Sequence, residues 1–320
     1  MLLRSCVFAL LAIAGFAPAL AQYPAKSVRI VVPYPPGGGT DQLGRPMAQK
    51  LTEKWGQTVV IDNRGGASGM VGAEIVAKSP PDGYTILLSA SAEVALNVAL
   101  YPKMAYDPER DFTPVTQVAI SPLVFLAHPA MPIRNVREFI ALAKKRPGEI
   151  VYASVGAGGP HHIAGEWMRQ MTGINIIHVP YKGGGPQMSD LMGGHVHTSF
   201  VALPAAAPHL QSGRVRVLAV TSAKRSQALP EVPTVAESGL PGFDVSQWWA
   251  VLVPRGTPAP IVSKLHTDFV ELTKTPDVRA RMATLGADPV GGTGVELAEA
   301  IRSDIAKYRK IVTDAKISLN

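Results

Sequence analysis

The chain has a single cysteine, few aromatic residues and no long apolar run beyond its N-terminus. The cysteine, Cys6, lies in a segment that we expect to be removed, so the mature chain is predicted to have no disulfide and no cysteine metal site. No other stretch reaches the roughly 20 continuous apolar residues of a membrane-spanning helix. These absences predict a soluble, exported protein without thiols.

The first 21 residues predict a secretory signal peptide. Arg4 precedes the apolar run 7–17, and Ala19-Leu20-Ala21 has the small-residue pattern of a cleavage site. Cleavage after Ala21 leaves 320 − 21 = 299 residues and places the protein in the periplasm. Without Arg4 the mature chain has 30 basic and 24 acidic residues, a net charge of +6. The bases are scattered among few aromatics, which argues against a nucleic-acid partner.

Residues 28–41, VRIVVPYPPGGGTD, are the pattern around which the chain is organised. The β-branched run 28–32 predicts a buried strand, and Pro35-Pro36-Gly37-Gly38-Gly39 ends it. Thr40 or Asp41 can then serve as the N-cap of a helix. Glycine amides without Cβ obstruction, followed by a helix N-terminus, favour the binding of an anion.

A nucleotide is not the predicted anion. A dinucleotide fingerprint that begins at Gly37 needs glycine where Gln42 stands. A Walker loop needs Lys and Ser or Thr where Arg45-Pro46 stand. A Gly/Pro turn without any ligand is the other interpretation of this stretch.

Strand-like and helical patterns alternate along almost the whole chain, which predicts an α/β fold. A length of 299 residues lies near the point at which one core divides into two. The segments 120–122 and 246–253 carry Pro or Trp and lack turn residues, so we expect the chain to cross between domains there. Domain 1 would comprise residues 22–120 and 250–320, with domain 2, residues 121–249, inserted into it.

Two further glycine loops follow predicted strands and lead into predicted helices. They lie at residues 154–160, SVGAGGP, and 181–186, YKGGGP. Since ligands of open α/β sheets bind at the carboxyl ends of the strands, all three loops are expected to converge on one cleft.

Enzyme and metal patterns are weak by comparison. The GASGM sequence at 66–70 misses the nucleophile elbow by one position. The histidine pairs 161–162 and 195/197 lack a carboxylate at ligand spacing, so no metal, cofactor or catalytic residue is predicted. Trp248 and Trp249 can form the wall of a ligand cleft or pack between the domains. Glu93 can be a helix-start acid favoured by the helix dipole or a pocket acid that meets a ligand donor.

Taken together, the motifs resemble those of the Bug-type periplasmic solute-binding proteins of tripartite tricarboxylate transporters. The matching features run nearly end to end, and their order and coverage carry the resemblance. They include YPPGGGTD at 34–41, NRGGASGMVGAEIVAKSPPDGYTILL at 63–88, SVGAGGPHHIAGE at 154–166, VPYKGGGPQMSDLMGGHV at 179–196 and LAVTSAKRSQALPEVPTVAESGLPGF at 218–243.

The resemblance implies a monomeric, two-domain periplasmic binding protein of type II, the Venus flytrap, in which each lobe is a mixed sheet flanked by helices. Such a receptor binds a small carboxylate between its lobes and delivers it to membrane permease subunits. The ligand-binding residues that the resemblance implies are Pro36, Gly37, Gly38, Gly39, Thr40, Asp41, Ser89, Ser91, Gly156, His161, Tyr181, Lys182 and Gly183.

Two departures from the family pattern leave open which ligand the receptor selects. The family often has an acidic residue where His197 stands, and a His or polar residue near Glu93. Two other functions are kept as alternatives. A secreted α/β hydrolase would need a nucleophile, a base and an orienting acid, which no motif places. A sensing receptor without a transporter partner needs no further motif.

Overall fold

A computed structural model describes residues 23–156, 158–181 and 183–317. The predicted signal peptide and the predicted site residue Lys182 therefore lie outside the described residues. The strands found there are β1 (Val28–Val32), β2 (Val59–Asn63), β3 (Thr85–Ala90), β4 (Phe112–Ala127), β5 (Val151–Val155), β6 (Ile177–Tyr181), β7 (Thr198–Ala202), β8 (Arg216–Val220), β9 (Ser246–Pro254) and β10 (Asp288–Pro289).

Helices alternate with these strands, as the sequence patterns predict. They are α1 (Gly39–Trp55), α2 (Met70–Ala77), α3 (Asn97–Leu100), α4 (Pro108–Asp111), α5 (Val136–Lys145), α6 (Pro160–Thr172), α7 (Gly184–Met192), α8 (Leu203–Leu210), α9 (Ala259–Leu272), α10 (Pro276–Thr284) and α11 (Gly294–Ala315). A 3₁₀ turn at Ala67–Gly69 precedes α2, and a π-helical turn at Ala92–Leu96 precedes α3.

The strands form one mixed sheet in the order β2-β1-β3-β9-β4-β7-β5-β6, and β10 and β8 also pair with β4. In the first half of the sheet, β1 pairs in parallel with β2 and β3. In the second half, β5 pairs in parallel with β6 and β7. The long strand β4 joins the halves, because its first part pairs with β9 and its last five residues pair with β7 and β8.

One long strand passes through Ser121-Pro122, where the sequence predicts a crossing between the domains. The strand β4 runs through this point for 16 residues. Pro122 is paired with Ser246 at the end of the β9 ladder, where the partners of β4 change. A proline without an N–H disturbs little there, because the ladder ends at that position.

Three helices with proline, α4, α8 and α10, were not predicted. In α8, LPAAAPHL, Pro208 lies inside the helix, and in α10 a proline is the first residue. Proline is tolerated in the first turn, where its missing N–H would have no intrahelical partner. By contrast, the helical pattern of the sequence covers 136–145, and α5 has these bounds, because its N-cap Asn135 and an apolar stripe mark it clearly.

The C-terminal helix α11 packs across both halves of the sheet. It contacts the π-helical turn and α3 on one side, α6 on the other, and β4 between them. Its buried face includes Leu297, Ile301 and Tyr308, which join a core that also contains Leu87 and Phe125. One apolar core therefore continues beneath the place where the two halves meet.

Candidate functional site

A cavity of about 420 Å³ lies between the two halves of the sheet, beside the carboxyl ends of β1 and β3. The first half contributes residues 34–36, 38–40 and 90–92. Pro160, the first residue of α6, closes it from the second half, and Gln247 of β9 lies at the junction. This position is the one expected for a ligand site in an open α/β sheet.

The first glycine loop, residues 35–39, connects β1 to α1 and forms one side of the cavity. Its turn depends on Gly37, whose φ of +84° is a left-handed conformation that favours glycine. The helix begins at Gly39 with Gly38 as its N-cap, and no side chain caps it. The expectation of an N-cap at Thr40 or Asp41 is therefore wrong, because Gly38, with its extended backbone, is the N-cap and both residues lie inside the first turn.

Asp41 instead lies inside the first turn and fixes the loop. Its Oδ2 accepts hydrogen bonds from the Gly37 amide and from Arg45 Nε, both at 2.8 Å, and its Oδ1 accepts from Asn63 Nδ2 at 3.0 Å. Burial raises the pKa of this carboxyl, but the hydrogen bonds from Arg45, Gly37 and Asn63 outweigh burial and hold the pKa below its usual value. The Asp41 carboxylate is thus ionised and fully engaged.

The Thr40 hydroxyl is anchored by a tryptophan, and its own hydrogen has no acceptor among the described residues. Trp249 donates its indole N–H to Thr40 Oγ1 at 3.0 Å, and both residues are buried. The Trp249 ring also lies beneath Gly39. Of the two interpretations of the tryptophan pair, packing is the observed one, since neither ring lines the cavity and Trp248 donates to Asp304.

The start of α1 leaves backbone donors unpaired at the cavity. The first helical amides, those of Gly39, Thr40 and Asp41, find no acceptor among the described residues, whereas Gln42 N–H already bonds to Gly38 O. These amides carry the positive end of the helix dipole. A carboxylate oxygen placed here would accept from amides and from the Thr40 hydroxyl.

Behind the opposite wall lies Glu93, which is fully buried in the π-helical turn. Its Oε1 accepts from the Ala90 amide and its Oε2 from the Tyr34 hydroxyl, each at 2.8 Å. Burial raises the pKa of the Glu93 carboxyl to about 7, and these hydrogen bonds offset burial only in part. Glu93 is thus a first-turn acid that holds two cavity residues and does not itself line the cavity.

The second glycine loop, residues 156–159, is described apart from Ala157 and is held by a histidine network. The Gly158 amide donates to His162 Nδ1 at 3.0 Å, and Ser154 Oγ donates to Gly156 O at 2.8 Å. The His162 and His178 rings stack with centroids 3.9 Å apart. Burial lowers the pKa of both imidazoles to about 4, so they are neutral at pH 7.

Ser154 and His178 are the serine–histidine pair that a hydrolase would need, with 2.6 Å between Oγ and Nε2. Ser154 is fully buried, however, and its hydroxyl bonds within the loop. The described contact therefore lies inside the loop and holds it, and it places no exposed serine oxygen at the cavity.

The structure brings only part of the predicted site to the cavity. Pro36, Gly38, Gly39, Thr40 and Ser91 line it. Gly37, Asp41 and Ser89 lie behind the lining, where Ser89 Oγ donates to Ala90 O. Gly156, His161, Tyr181 and Gly183 are not lining residues of this cavity, although His161 adjoins Pro160.

Two of these second-half residues have defined chemistry. The Tyr181 hydroxyl donates to Asp190 Oδ2 at 2.7 Å, and burial together with Asp190 raises its pKa to about 12. Its one hydrogen is therefore used within the protein. Burial lowers the pKa of His161 to about 4, and its buried Nε2 has no partner among the described residues.

The resemblance also implied the strand end 89–91 and the loop 156–161 as parts of the pocket, which include the lining residues Ala90 and Pro160. Sequence reasoning missed Tyr34, Pro35, Ala92 and Gln247 as cavity residues. Most of them could have been found from their positions in the sequence, because they directly flank a glycine loop or the end of β3. For Gln247 there was no such signal, since its place depends on the pairing of β9 with β4 at Ser121.

A family model described as the tripartite tricarboxylate transporter family receptor matches residues 43–317. The chain belongs to this receptor family. The resemblance inferred from the motifs is thereby confirmed, and so is the two-lobed α/β fold of periplasmic solute-binding proteins. We call the two halves of the sheet, each with its helices, the first and the second lobe.

Individual members of the receptor family match nearly the whole chain. Protein BugT of Bordetella pertussis is 38% identical over 298 residues, which are 93% of this chain and 91% of that protein. The structure of Rpa4515 from R. palustris with adipate is 39% identical with a TM-score of 0.75, over 92% of this chain and 99% of that one. MatC (Rpa3494) from Rhodopseudomonas palustris with bound malate is 32% identical with a TM-score of 0.70, over 91% and 100%.

Within residues 23–156, 158–181 and 183–317, no helix is long and apolar enough to cross a bilayer. The same part of the chain has no group of three or more His, Cys, Asp or Glu side chains arranged to hold a metal ion.

Proposed function

We propose that this chain is a periplasmic receptor that captures a small carboxylate between its lobes and delivers it to the membrane subunits of a tripartite tricarboxylate transporter. The observation that carries the proposal is the set of unpaired amides at the start of α1, aimed at a cavity between the lobes. The relatives crystallised with adipate and malate agree with an anionic ligand of this class.

The anion would be held mainly by backbone groups. None of the described residues that line the cavity carries a charged side chain. Each hydrogen bond to a charged group contributes roughly 1.5–3 kcal/mol net. Three or four such bonds, from the first-turn amides and the Thr40 hydroxyl, are enough for micromolar affinity, about −8 kcal/mol, after the costs of association.

Closure of the lobes is part of the proposal. Residues 22–120 and 250–320 would move against residues 121–249, with β4 and the chain around β9 as the covalent crossings. Small-angle scattering with a ligand proven to bind should show a smaller radius of gyration than the free receptor. An unchanged radius would contradict closure.

The experiment that tests the proposal is mass spectrometry of small molecules released when the exported protein is denatured, followed by titration calorimetry of the identified compound. A carboxylate is expected, with an affinity that Gly38→Val strongly reduces because the new side chain fills the cavity beside Pro35. Turnover of ester or amide substrates, or a released ligand without a carboxylate, would contradict the proposal.

A further inference from the structure

A groove of about 470 Å³ lies between α1 and α10 on the first lobe, separate from the ligand cavity. Its charged lining residues are Arg45 on α1 and Asp277 and Arg281 on α10. The Asp277 carboxylate is already paired with Lys50 Nζ at 3.2 Å. The two guanidinium groups therefore line the groove with positive charge, from opposite helices.

Arg45 is connected through a buried acid to the ligand loop. Its Nε donates to Asp41 Oδ2 at 2.8 Å, and the same oxygen accepts from the Gly37 amide at 2.8 Å. The Asp41 side chain is 2% exposed, whereas that of Arg45 is 56% exposed. The guanidinium is thus accessible from the groove, while the carboxylate that it holds lies buried at the loop.

Arg281 is connected to the same glycine through an amide side chain. Arg281 Nη1 donates to Gln42 Oε1 over a long 3.5 Å, and Gln42 Nε2 donates to Gly37 O at 2.8 Å. Both backbone polar groups of Gly37 are therefore held by side chains that lead to an arginine of the groove. Since the φ of +84° at Gly37 sets the turn of the loop, these hydrogen bonds couple the groove to the cavity lining.

Pro46, which also lines the groove, weakens the tie between the first turn of α1 and the rest of the helix. Proline has no N–H, so residue 46 cannot donate to Gln42 O in the usual intrahelical hydrogen bond. The first turn, which carries Asp41 and Gln42, is held to the next turn by one bond fewer. Its position depends the more on the two side-chain connections to Gly37.

We propose that this groove is a docking site for an acidic segment of a partner protein, and that docking loosens the first glycine loop. A carboxylate suits the groove because guanidinium groups pair with carboxylates through parallel hydrogen bonds. It competes with Asp41 for Arg45. It also competes with Gln42 for Arg281, so both hydrogen bonds of Gly37 weaken. Under the proposed function, on which this last step rests, the partner is a membrane subunit whose docking promotes release of the bound carboxylate.

Fluorescence anisotropy on the full exported protein tests the docking site, with labelled hexaglutamate as the acidic segment and hexaglutamine as its neutral counterpart. Hexaglutamate should bind at low ionic strength and lose affinity in about 0.5 M NaCl, because salt screens exposed charges. Arg281→Gln should weaken binding about three- to fivefold. Absence of binding, or equal binding of hexaglutamine, would overturn the docking site.

Arg279→Gln is the matched control for that variant. It removes an exposed arginine from the same helix, at a position outside the groove lining. Both variants lower the net charge by one, so a general attraction between the basic receptor and an acidic peptide falls equally in both. An equal loss of affinity in Arg279→Gln and Arg281→Gln would therefore contradict a specific site.

Hydrogen–deuterium exchange at short labelling times tests the coupling without any carboxylate in the cavity. Saturating hexaglutamate should speed exchange in the fragment that covers residues 35–42, because the Gly37 amide loses its fixed acceptor. In Arg281→Gln the peptide should have a smaller effect. Unchanged exchange in this fragment, with peptide binding demonstrated, would overturn the coupling.

Titration calorimetry with adipate tests the consequence for the cavity. Saturating hexaglutamate should weaken adipate binding about five- to tenfold, and saturating adipate should weaken hexaglutamate binding by the same factor, because coupling between two sites is reciprocal. An unchanged adipate affinity, or an undiminished effect in Arg281→Gln, would overturn the link to release; the second result would mean that the peptide competes inside the cavity. Failure of adipate to bind without any peptide would count against the proposed function, while the exchange measurement still decides the coupling.

Discussion

The two glycine loops beside the cavity have similar sequences, yet they are held by side chains of different charge. In the first loop, the Gly37 amide meets the ionised carboxylate of Asp41, which Arg45 partly neutralises. In the second loop, the Gly158 amide meets a neutral imidazole, His162 Nδ1. The same backbone arrangement before a helix can thus be fixed with or without a formal charge.

In the second lobe, a charged pair lies behind the imidazole that holds the loop. Glu166 accepts from the Tyr152 hydroxyl at 2.7 Å and pairs with Arg169 at 2.6 Å, while its distance to His162 Nε2 is 3.8 Å. The imidazole therefore stands between the carboxylate and the loop. Burial raises the pKa of Glu93 in the first lobe and lowers the pKa values of His162 and His178 in the second. We infer that the stabilities of the two lobes respond to pH in opposite directions.

The largest expected effect comes from removing the charged acceptor of the first loop. Asp41→Leu leaves the Gly37 amide, Asn63 and Arg45 without their shared partner, so we expect a loss of about 2–4 kcal/mol in the free energy of unfolding. Carboxylate affinity should fall at least tenfold. Asp41→Asn keeps one acceptor and should cost less in both urea denaturation and calorimetry. Equal effects of the two substitutions would contradict a role for hydrogen bonding.

A second test uses the buried acid in the first lobe. The folded-state pKa of Glu93, about 7, lies above the usual glutamate value of 4.5, so the folded state binds more protons between these values. Stability contributed by this group is present below about pH 4.5 and is lost as pH rises toward 7. Relative to wild type, Glu93→Gln should gain about 1–3 kcal/mol in the free energy of unfolding between pH 5 and pH 8.

The control for that measurement is Glu109→Gln, which changes an exposed carboxylate in the same lobe. It should show no such gain between pH 5 and pH 8. If Glu93→Gln and wild type keep a constant difference across this range, Glu93 does not titrate there.

The second lobe should show the opposite dependence. The folded-state pKa of His162, about 4, lies below the usual histidine value of 6.5, so the unfolded state binds more protons between these values. Stability is therefore lost as pH falls from about 6.5 toward 4, by about 1–2 kcal/mol for this group at pH 5. His162→Asn keeps an acceptor for the Gly158 amide but cannot be protonated, and should reduce the slope of stability against pH. The exposed His195→Asn is the control.

The smallest expected effect concerns how Thr40 is oriented. Trp249→Phe keeps a ring beneath Gly39 but removes the donor to Thr40 Oγ1. The loss of one neutral hydrogen bond, about 0.5–1.5 kcal/mol, should weaken carboxylate binding about two- to tenfold in calorimetry. Trp55→Phe removes a similar donor to Asp268, remote from the cavity, and should leave binding unchanged. An equal loss in both variants would point to a global effect.

The sequence determined the parts of this receptor that depend on neighbouring residues. The strand, glycine loop and helix order, the α5 bounds and the first-turn proline of α6 all follow from local periodicity and local turn chemistry. The family resemblance follows from the same local motifs taken in order.

Only the tertiary structure decided what those motifs touch. The contact of Trp249 with Thr40 spans 209 positions, and that of Tyr34 with Glu93 spans 59. Neither can be read from a local pattern, because a side chain's partner depends on which strands pair and in what register. The continuity of β4 through Pro122 and the place of Gln247 were decided in the same way, by the pairing of β4 with β9.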